Sequence, residues 1–405
     1  VSEEDGPATA VVDIDDSFFQ DPYSAYRKLR RYGEVHRMST GPGRGLWLVT
    51  GYETAMAALS DRRLSKDSDA LARAMQVSVT GDAAEAARAS AYGDFMRSFT
   101  QHVSVVVREQ LRPELVNRVA AGLPAMVHDI LDRIPSPAGV SDLVTEFTIP
   151  YAVESACELI GIPADLRPQV TTLLTDTILS PDPEIEQASS VRLARLITAL
   201  MTERLVHPRA DLLTAISTKV ADSGGPDEDE TVRGAMLLMI ISVETTFSFL
   251  GNAICALLAH PGELRRLRAD PGLFDNAMEE LLRFDGAHNI SSLRCVTEDL
   301  VLAGTPLAAG DLVAVSLASA NHDEARFEDP DQLDLTRTVS AHLAFGHGMH
   351  RCLGARYARL QGRAALGVLL ERFPALQLAV DPADVPRISS AFLRSVHTLP
   401  VVLTP

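Results

Sequence analysis

Residues 345 to 354 read Phe345-Gly346-His347-Gly348-Met349-His350-Arg351-Cys352-Leu353-Gly354, a single cysteine set among three glycines, an aromatic ring and histidines. A thiolate is the form of cysteine that binds metal, and it keeps that role when hydrogen bonds and packing shield the sulfur. Gly346, Gly348 and Gly354 let backbone approach a flat cofactor and turn peptide N–H groups toward the sulfur, because glycine adopts positive φ without a Cβ penalty. Phe345 is expected to pack on the sulfur side, and His350 to offer a donor to an acidic group at the cofactor's edge. A lone cysteine in a plain turn would be an inert core residue. The coincidence of Phe, Gly, His and Cys at these spacings favours a cofactor ligand instead.

The surrounding chain can support such a site. It has 405 residues, 46% of them hydrophobic, enough to bury a large core. Acidic residues number 54 against 37 basic ones, and the net charge of −17 argues against nonspecific binding to nucleic acid or to anionic membranes. Any docking surface for an acidic partner must therefore be a local basic patch. Lys28, Lys66 and Lys219 are the only lysines, an arginine bias found in chains from GC-rich bacterial genomes. Cys157, Cys255, Cys295 and Cys352 show neither paired spacing nor a metal-finger pattern, which fits a reducing cytosol. The first residues, VSEEDGPATA, are acidic and small where a signal peptide is basic and then apolar. No uninterrupted apolar run approaches the ~20 residues of a membrane span, so a soluble cytoplasmic protein is expected. Without repeats or a composition-marked linker, one continuous domain over 1–405 is expected, with 1–20 as a flexible N-terminal segment.

Helical periodicity marks 21–32, 111–134, 142–162 (closed by Pro163) and 209–220, while Leu46–Thr50 is β-prone and is expected to pair with Val35–Met38. The next helix opens in the acidic turn Asp227-Glu228-Asp229-Glu230, suited to the positive end of the helix dipole, and runs to His260 before Pro261. It should span roughly 45 Å at about 1.5 Å per residue. Its centre, 235–258, is apolar nearly all round and should be buried on all sides. Short helices to Phe284, a β-prone stretch at 293–316, a loop-rich meander, a helix over 353–373 and an extended tail complete a mainly α chain with small β sheets (α+β). The segments 69–97 and 165–187 lack a clear core stripe and suit lids.

Three further groupings carry chemistry. Ser242-Val243-Glu244-Thr245-Thr246 places a carboxyl among hydroxyls in the most apolar helix, and a buried carboxylate needs a partner or a task. In the ordinary structural alternative, the threonines bond back to carbonyls one turn earlier and Glu244 reaches a surface arginine. Glu280 and Arg283 share a helix face at a spacing of three, and Glu279 could compete for Arg283. Arg351, Arg356, Arg359 and Arg363 cluster around the cysteine.

Taken with these landmarks, residues 345 to 354 resemble the heme-binding loop of the cytochrome P450 family, and the resemblance runs from about Asp21 to the C-terminus. It implies that family's fold, with heme b (iron protoporphyrin IX) between the long helix and the cysteine loop, and Cys352 as the iron's thiolate ligand. Phe345, Gly346 and Gly348 belong to the loop, and Arg294 and His350 fall where the family places donors to the heme propionates. Glu244 and Thr245 match the acid and alcohol that deliver protons beside the oxygen-binding face. Glu280, Arg283 and Arg337, the last ending the meander fifteen residues before Cys352, match a buried charge triad whose role is structural. Met239, Val243 and Phe247, Ile290, Ser291 and Ser292, and Phe392 and Leu393 should wall the substrate pocket, although plain core roles are the commoner fate of such residues.

The chain departs from the pattern twice. The usual Ala-Gly before the acid–alcohol pair is Ile241-Ser242. The positions of a further His and Arg propionate pair fall on Thr100 and Ser104, with His102, Arg97 and Arg108 as nearby substitutes. The resemblance thus implies a monomeric bacterial oxidoreductase that uses O2 to hydroxylate or epoxidise a small apolar organic substrate in secondary-metabolite biosynthesis. Electrons would come from a ferredoxin-type donor and its reductase, docked on the arginine cluster; neither nucleic acid nor membrane is a partner. The rival readings are oxidative coupling, nitration or peroxide-driven chemistry at the same heme, and a non-catalytic heme-binding sensor or partner.

Overall fold

The computed structural model describes residues 16–38, 46–78, 103–134, 139–222, 228–338 and 341–403. Their backbone gathers into two compact units that the chain enters by turns. The first draws on Val1–Asp94, Asn252–Cys352 and Val385–His397, and the second on Phe95–Gly251, Leu353–Asp384 and Thr398–Pro405. Neither unit is a contiguous stretch of sequence, and two of the crossings fall inside the long helix and directly after Cys352.

The first unit is organised by a five-stranded sheet in the order Val35–Met38, Leu46–Val49, Leu312–Val315, Arg294–Val296, Leu64–Ser65. The expected hairpin forms, with Val35 opposite Val49 and Met38 opposite Leu46. Leu46–Val49 then runs parallel to Leu312–Val315, whose four residues are all buried, as suits a central strand covered on both faces. Val49, Leu59, Leu64, Val313, Val315 and Leu317 form one core cluster of this unit. Phe18, Tyr26, Leu29, Leu48, Ile290 and Leu312 belong to another. Phe18 comes from the helix Asp16–Gln20, so ordered structure reaches back into the segment expected to be flexible; residues 1–15 lie outside the described residues.

The second unit is helical, with a three-stranded sheet in the order Val140–Asp142, Pro400–Val402, Gln377–Leu378. The expected helix over 111–134 is two, Pro113–Ala120 and Leu123–Leu131, parted at Gly122. Asp142 ends a strand rather than opening a helix, because its Oδ1 accepts from the Val144 and Leu399 N–H groups. The helix Ile149–Ile160 stops at Gly161, before Pro163. There φ is 102°, and a Cβ would meet the Asp211 side chain at 2.4 Å.

The segment 165–187, expected to lack a core stripe, belongs to helices Arg167–Leu179 and Pro183–Val206, which bury Val170, Leu173 and Leu174 from one and Ser189, Leu193, Ile197, Met201 and Arg204 from the other. The second stripe escapes a hydrophobic reading because polar residues end it. Arg204 is nearly fully buried and bonds Asp211 Oδ2 at 3.0 Å and the Gly161 carbonyl at 2.7 Å. Of 69–97, the helix Ser68–Ser78 is described and buries Leu71 and Ala74.

The long helix runs Glu228–Ala259, 32 residues. By length and composition its segment Asp229–Ala259 is apolar enough to cross a membrane, and 67% of its most apolar window is buried. It is not buried on all sides, contrary to expectation. Ile241 is 36% exposed, and Ser242, Glu244 and Thr245 are half-buried, whereas Met239, Val243, Phe247 and Leu250 are buried one helical turn apart. One face of the helix is therefore open where its polar residues sit.

Candidate active site

The cysteine loop begins at Phe345 and is closed by its own backbone: the Cys352 N–H donates to the Phe345 carbonyl at 2.9 Å and the Gly346 N–H to the Leu343 carbonyl at 2.8 Å. Gly346 and Gly348 have φ of 68° and 72°. At Gly348 a Cβ would meet the Leu59 carbonyl oxygen at 2.9 Å, so glycine alone lets the loop lie against the end of helix Tyr52–Ser60. Cys352 is exposed, while Cys157, Cys255 and Cys295 are buried. That separates it from the inert core cysteines of the same chain.

Glu280, Arg283 and Arg337 come together in the first unit. Arg283 Nε and Nη2 grip both oxygens of Glu280 at 2.7 and 2.8 Å, and Arg337 Nε reaches Oε1 at 3.2 Å. Both members of the inner pair are fully buried. Arg283 Nη1 also donates to the Asn321 and Pro330 carbonyls at 2.8 Å each. Asn321 Oδ1 in turn accepts from the Leu343 N–H at 2.6 Å, so charge and amide together hold the chain two residues before Phe345.

A second clamp acts at the neighbouring residue. Glu279 does not compete for Arg283; its Oε2 lies 3.1 Å from His342 Nε2. His342 Nδ1 accepts from the Ala344 N–H at 3.1 Å, which leaves the ring proton of a neutral imidazole on Nε2, facing the carboxylate. Asn321 and His342 escaped the sequence reading. Their only signal was position, one in the meander and one just ahead of the loop.

Arg294 is 2% exposed and donates from Nη1 to the Leu64 carbonyl at 3.4 Å, while its buried Nε has no partner among the described residues. Burial without a counter-charge pushes its guanidinium down to about 10. His350 is exposed on the short turn Gly348–His350, and Phe345 is half-buried with its ring 6.0 Å from that of His342.

In the second unit, burial raises the Glu244 carboxyl to about 7, and no hydrogen bond or ion pair engages it among the described residues. The expected alternative of a surface arginine is absent there, and its other half, the threonines bonding back one turn, is recorded for Thr245. The Thr245 hydroxyl donates to the Ile241 carbonyl and that of Ser242 to the Leu238 carbonyl, both at 2.6 Å. Each hydroxyl oxygen keeps lone pairs to accept a further bond.

Among the expected pocket residues, Met239, Val243 and Phe247 are buried on the long helix. In the first unit Ile290 is buried in a core cluster, the Ser291 hydroxyl bonds the Ser292 carbonyl at 3.2 Å, and Phe392 is 44% exposed. The Asn289 N–H donates to the Phe392 carbonyl at 2.9 Å and His288 bridges Leu393, which joins the two segments of that unit expected to form pocket walls. Arg97, Thr100 and His102 lie outside the described residues; Ser104 opens the helix Ser104–Gln110 and Arg108 is exposed.

These residues fit iron protoporphyrin IX. An exposed cysteine in a glycine-built loop could supply the thiolate that binds its iron, and Arg294 is a buried cation that still needs an anion, as the edge carboxylates of that cofactor would supply. Comparison with known proteins agrees. The family model described as Cytochrome P450 matches residues 272–397. Cytochrome P450 107B1 of Saccharopolyspora erythraea is 33% identical over 404 residues, 98% of each chain. The 6-deoxyerythronolide B hydroxylase of the same organism is 34% identical over 406 residues, spanning 98% of this chain and 99% of its own. The solved structure of the ligand-free P450 monooxygenase TamI superposes with a TM-score of 0.82 at 33% identity, covering 98% of this chain and 94% of the other. The chain belongs to the cytochrome P450 family, as an oxidoreductase of the monooxygenase class whose cofactor is heme b.

Proposed function

We propose that this enzyme hydroxylates or epoxidises a small apolar organic molecule in bacterial secondary metabolism, with Cys352 as the thiolate that would bind the heme iron. The exposed Cys352, in a loop clamped at His342 and Leu343, is the observation that carries the reading. Bound heme supplies the iron at which O2 is reduced, one oxygen atom entering the substrate and the other leaving as water with two electrons and two protons. Arg294 and His350 would hold the cofactor's carboxylates. Arg283, through Asn321, keeps the loop from shifting as the sulfur takes up its ligand role.

Glu244 is suited to proton delivery because its carboxyl at about 7 is partly protonated near neutrality. The Thr245 hydroxyl, its own proton committed to Ile241, accepts from the neighbouring proton carrier and orients it. Met239, Val243 and Phe247 in the one unit, and separately Ile290, Ser291, Ser292, Phe392 and Leu393 in the other, are the residues suited to contact an apolar substrate. The relative named as a 6-deoxyerythronolide B hydroxylase supports a secondary-metabolite substrate. Arg356 and Arg363 are exposed on the helix Ala355–Arg372 and, with Arg351 and Arg359, suit an acidic ferredoxin-type donor in the cytoplasm. A carbon monoxide difference spectrum of the reduced protein tests the reading. A thiolate-type band is expected, and its absence from folded, heme-loaded protein would overturn the assignment of Cys352. A screen for compounds that shift the ferric spin state then identifies the substrate class.

A further inference from the structure

Strand Leu64–Ser65 pairs antiparallel with Arg294–Val296, Leu64 opposite Val296 and Ser65 opposite Cys295. The next step of that register sets Lys66 opposite Arg294. Directly opposed residues of an antiparallel pair put their side chains on one face, and like charges so placed repel. No acid relieves the pair among the described residues. Asp61 is taken by Arg63, at 2.7 Å, and Asp67 accepts from the Ala70 N–H at 2.8 Å at the start of helix Ser68–Ser78. Arg294 is 2% exposed with an orphaned Nε, and Lys66 is half-buried with no ion pair among the described residues. Burial lowers the Lys66 ammonium to about 8, with the charge of Arg294 adding to the shift. His288, pushed toward its neutral form by burial, also feels Lys66, and it brings no negative charge.

Two opposed cations, one of them buried, with no anion among the described residues make a carboxylate cradle. Its position relative to the cysteine loop follows from the chain: the loop's Gly348 rests on Leu59 and Ser60, and the strand carrying Leu64 and Ser65 begins four residues after Ser60. We propose that Lys66 is a second cationic anchor, beside Arg294, for a propionate of the bound heme. This rests on the reading of the Cys352 loop as the heme site. It gives the chain a cation in place of the His and Arg whose usual positions fall on Thr100 and Ser104.

The test is the rate at which ferric holoprotein surrenders hemin to excess apomyoglobin, for wild type, Lys66→Met and Lys66→Arg. Lys66→Met should lose hemin roughly tenfold faster, the effect of one charge-assisted hydrogen bond, and Lys66→Arg should stay near the wild-type rate. Proteins reconstituted with hemin dimethyl ester should show no difference between wild type and Lys66→Met. Equal hemin loss from wild type and Lys66→Met overturns the proposal, as does a difference that persists with the ester. If Lys66→Met yields no folded holoprotein, Lys66→Gln is read on the same scale. A wild-type protein lacking the thiolate-type carbon monoxide band would instead overturn the heme-site reading, and the proposal with it.

Discussion

Glu244 shows how one residue's surroundings define its chemistry. Its carboxyl has no partner among the described residues, and burial raises it to about 7. The native state then holds a proton that the unfolded chain releases, so stability falls as pH rises from the ordinary carboxylate range to about 7 and levels off above it. Glu244→Gln should flatten that segment of the curve, which melting temperatures of both proteins across that range would show. At the neighbouring residue, Thr245→Ala should leave the helix intact, since its hydroxyl only bonds back to Ile241. Electron consumption should nonetheless uncouple from product formation. The ratio of product formed to reduced nicotinamide consumed measures this, and unchanged coupling would remove Thr245 from the mechanism.

At the scale of elements, the helix Phe274–Asp285 secures the cysteine loop through two adjacent side chains, Glu279 acting on His342 and Glu280 on Arg283. Arg283→Ala would remove the bidentate partner of the fully buried Glu280 carboxylate and leave it Arg337 alone as a cation, a loss of about 3 kcal/mol, the low end for a broken buried pair. Thermal melts should show it, along with poor recovery of thiolate-ligated holoprotein. Asn321→Ala removes the acceptor of the Leu343 N–H and should cost less, about 1 to 3 kcal/mol for one orphaned buried donor. The spacing of Glu280 and Arg283 was legible in the sequence because one helix turn brings them together. The Asn321 and His342 clamps were not, because each joins residues more than twenty positions apart. Nor was the stripe of Pro183–Val206, where a buried ion pair at Arg204 stands in for an apolar contact.

For the whole molecule, a net charge of −17 makes a local cluster of arginines electrostatically distinct. Arg356→Glu with Arg359→Glu should slow reduction by a ferredoxin-type donor and remove its dependence on ionic strength, measured by stopped-flow reduction at several salt concentrations. An unchanged salt dependence would place donor docking elsewhere. The sequence by itself determined the cofactor, the family and the mainly α class, because Cys352 and its glycines, the Glu280–Arg283 spacing and the long apolar helix are local patterns read over a few residues. Tertiary structure alone decided that the long helix has an open polar face, that Asn321 and His342 clamp the cysteine loop, and that strand Leu64–Ser65 pairs alongside Arg294–Val296. These depend on which distant segments pair and in what register, and a residue's charge or burial in that setting is not encoded by its neighbours in sequence.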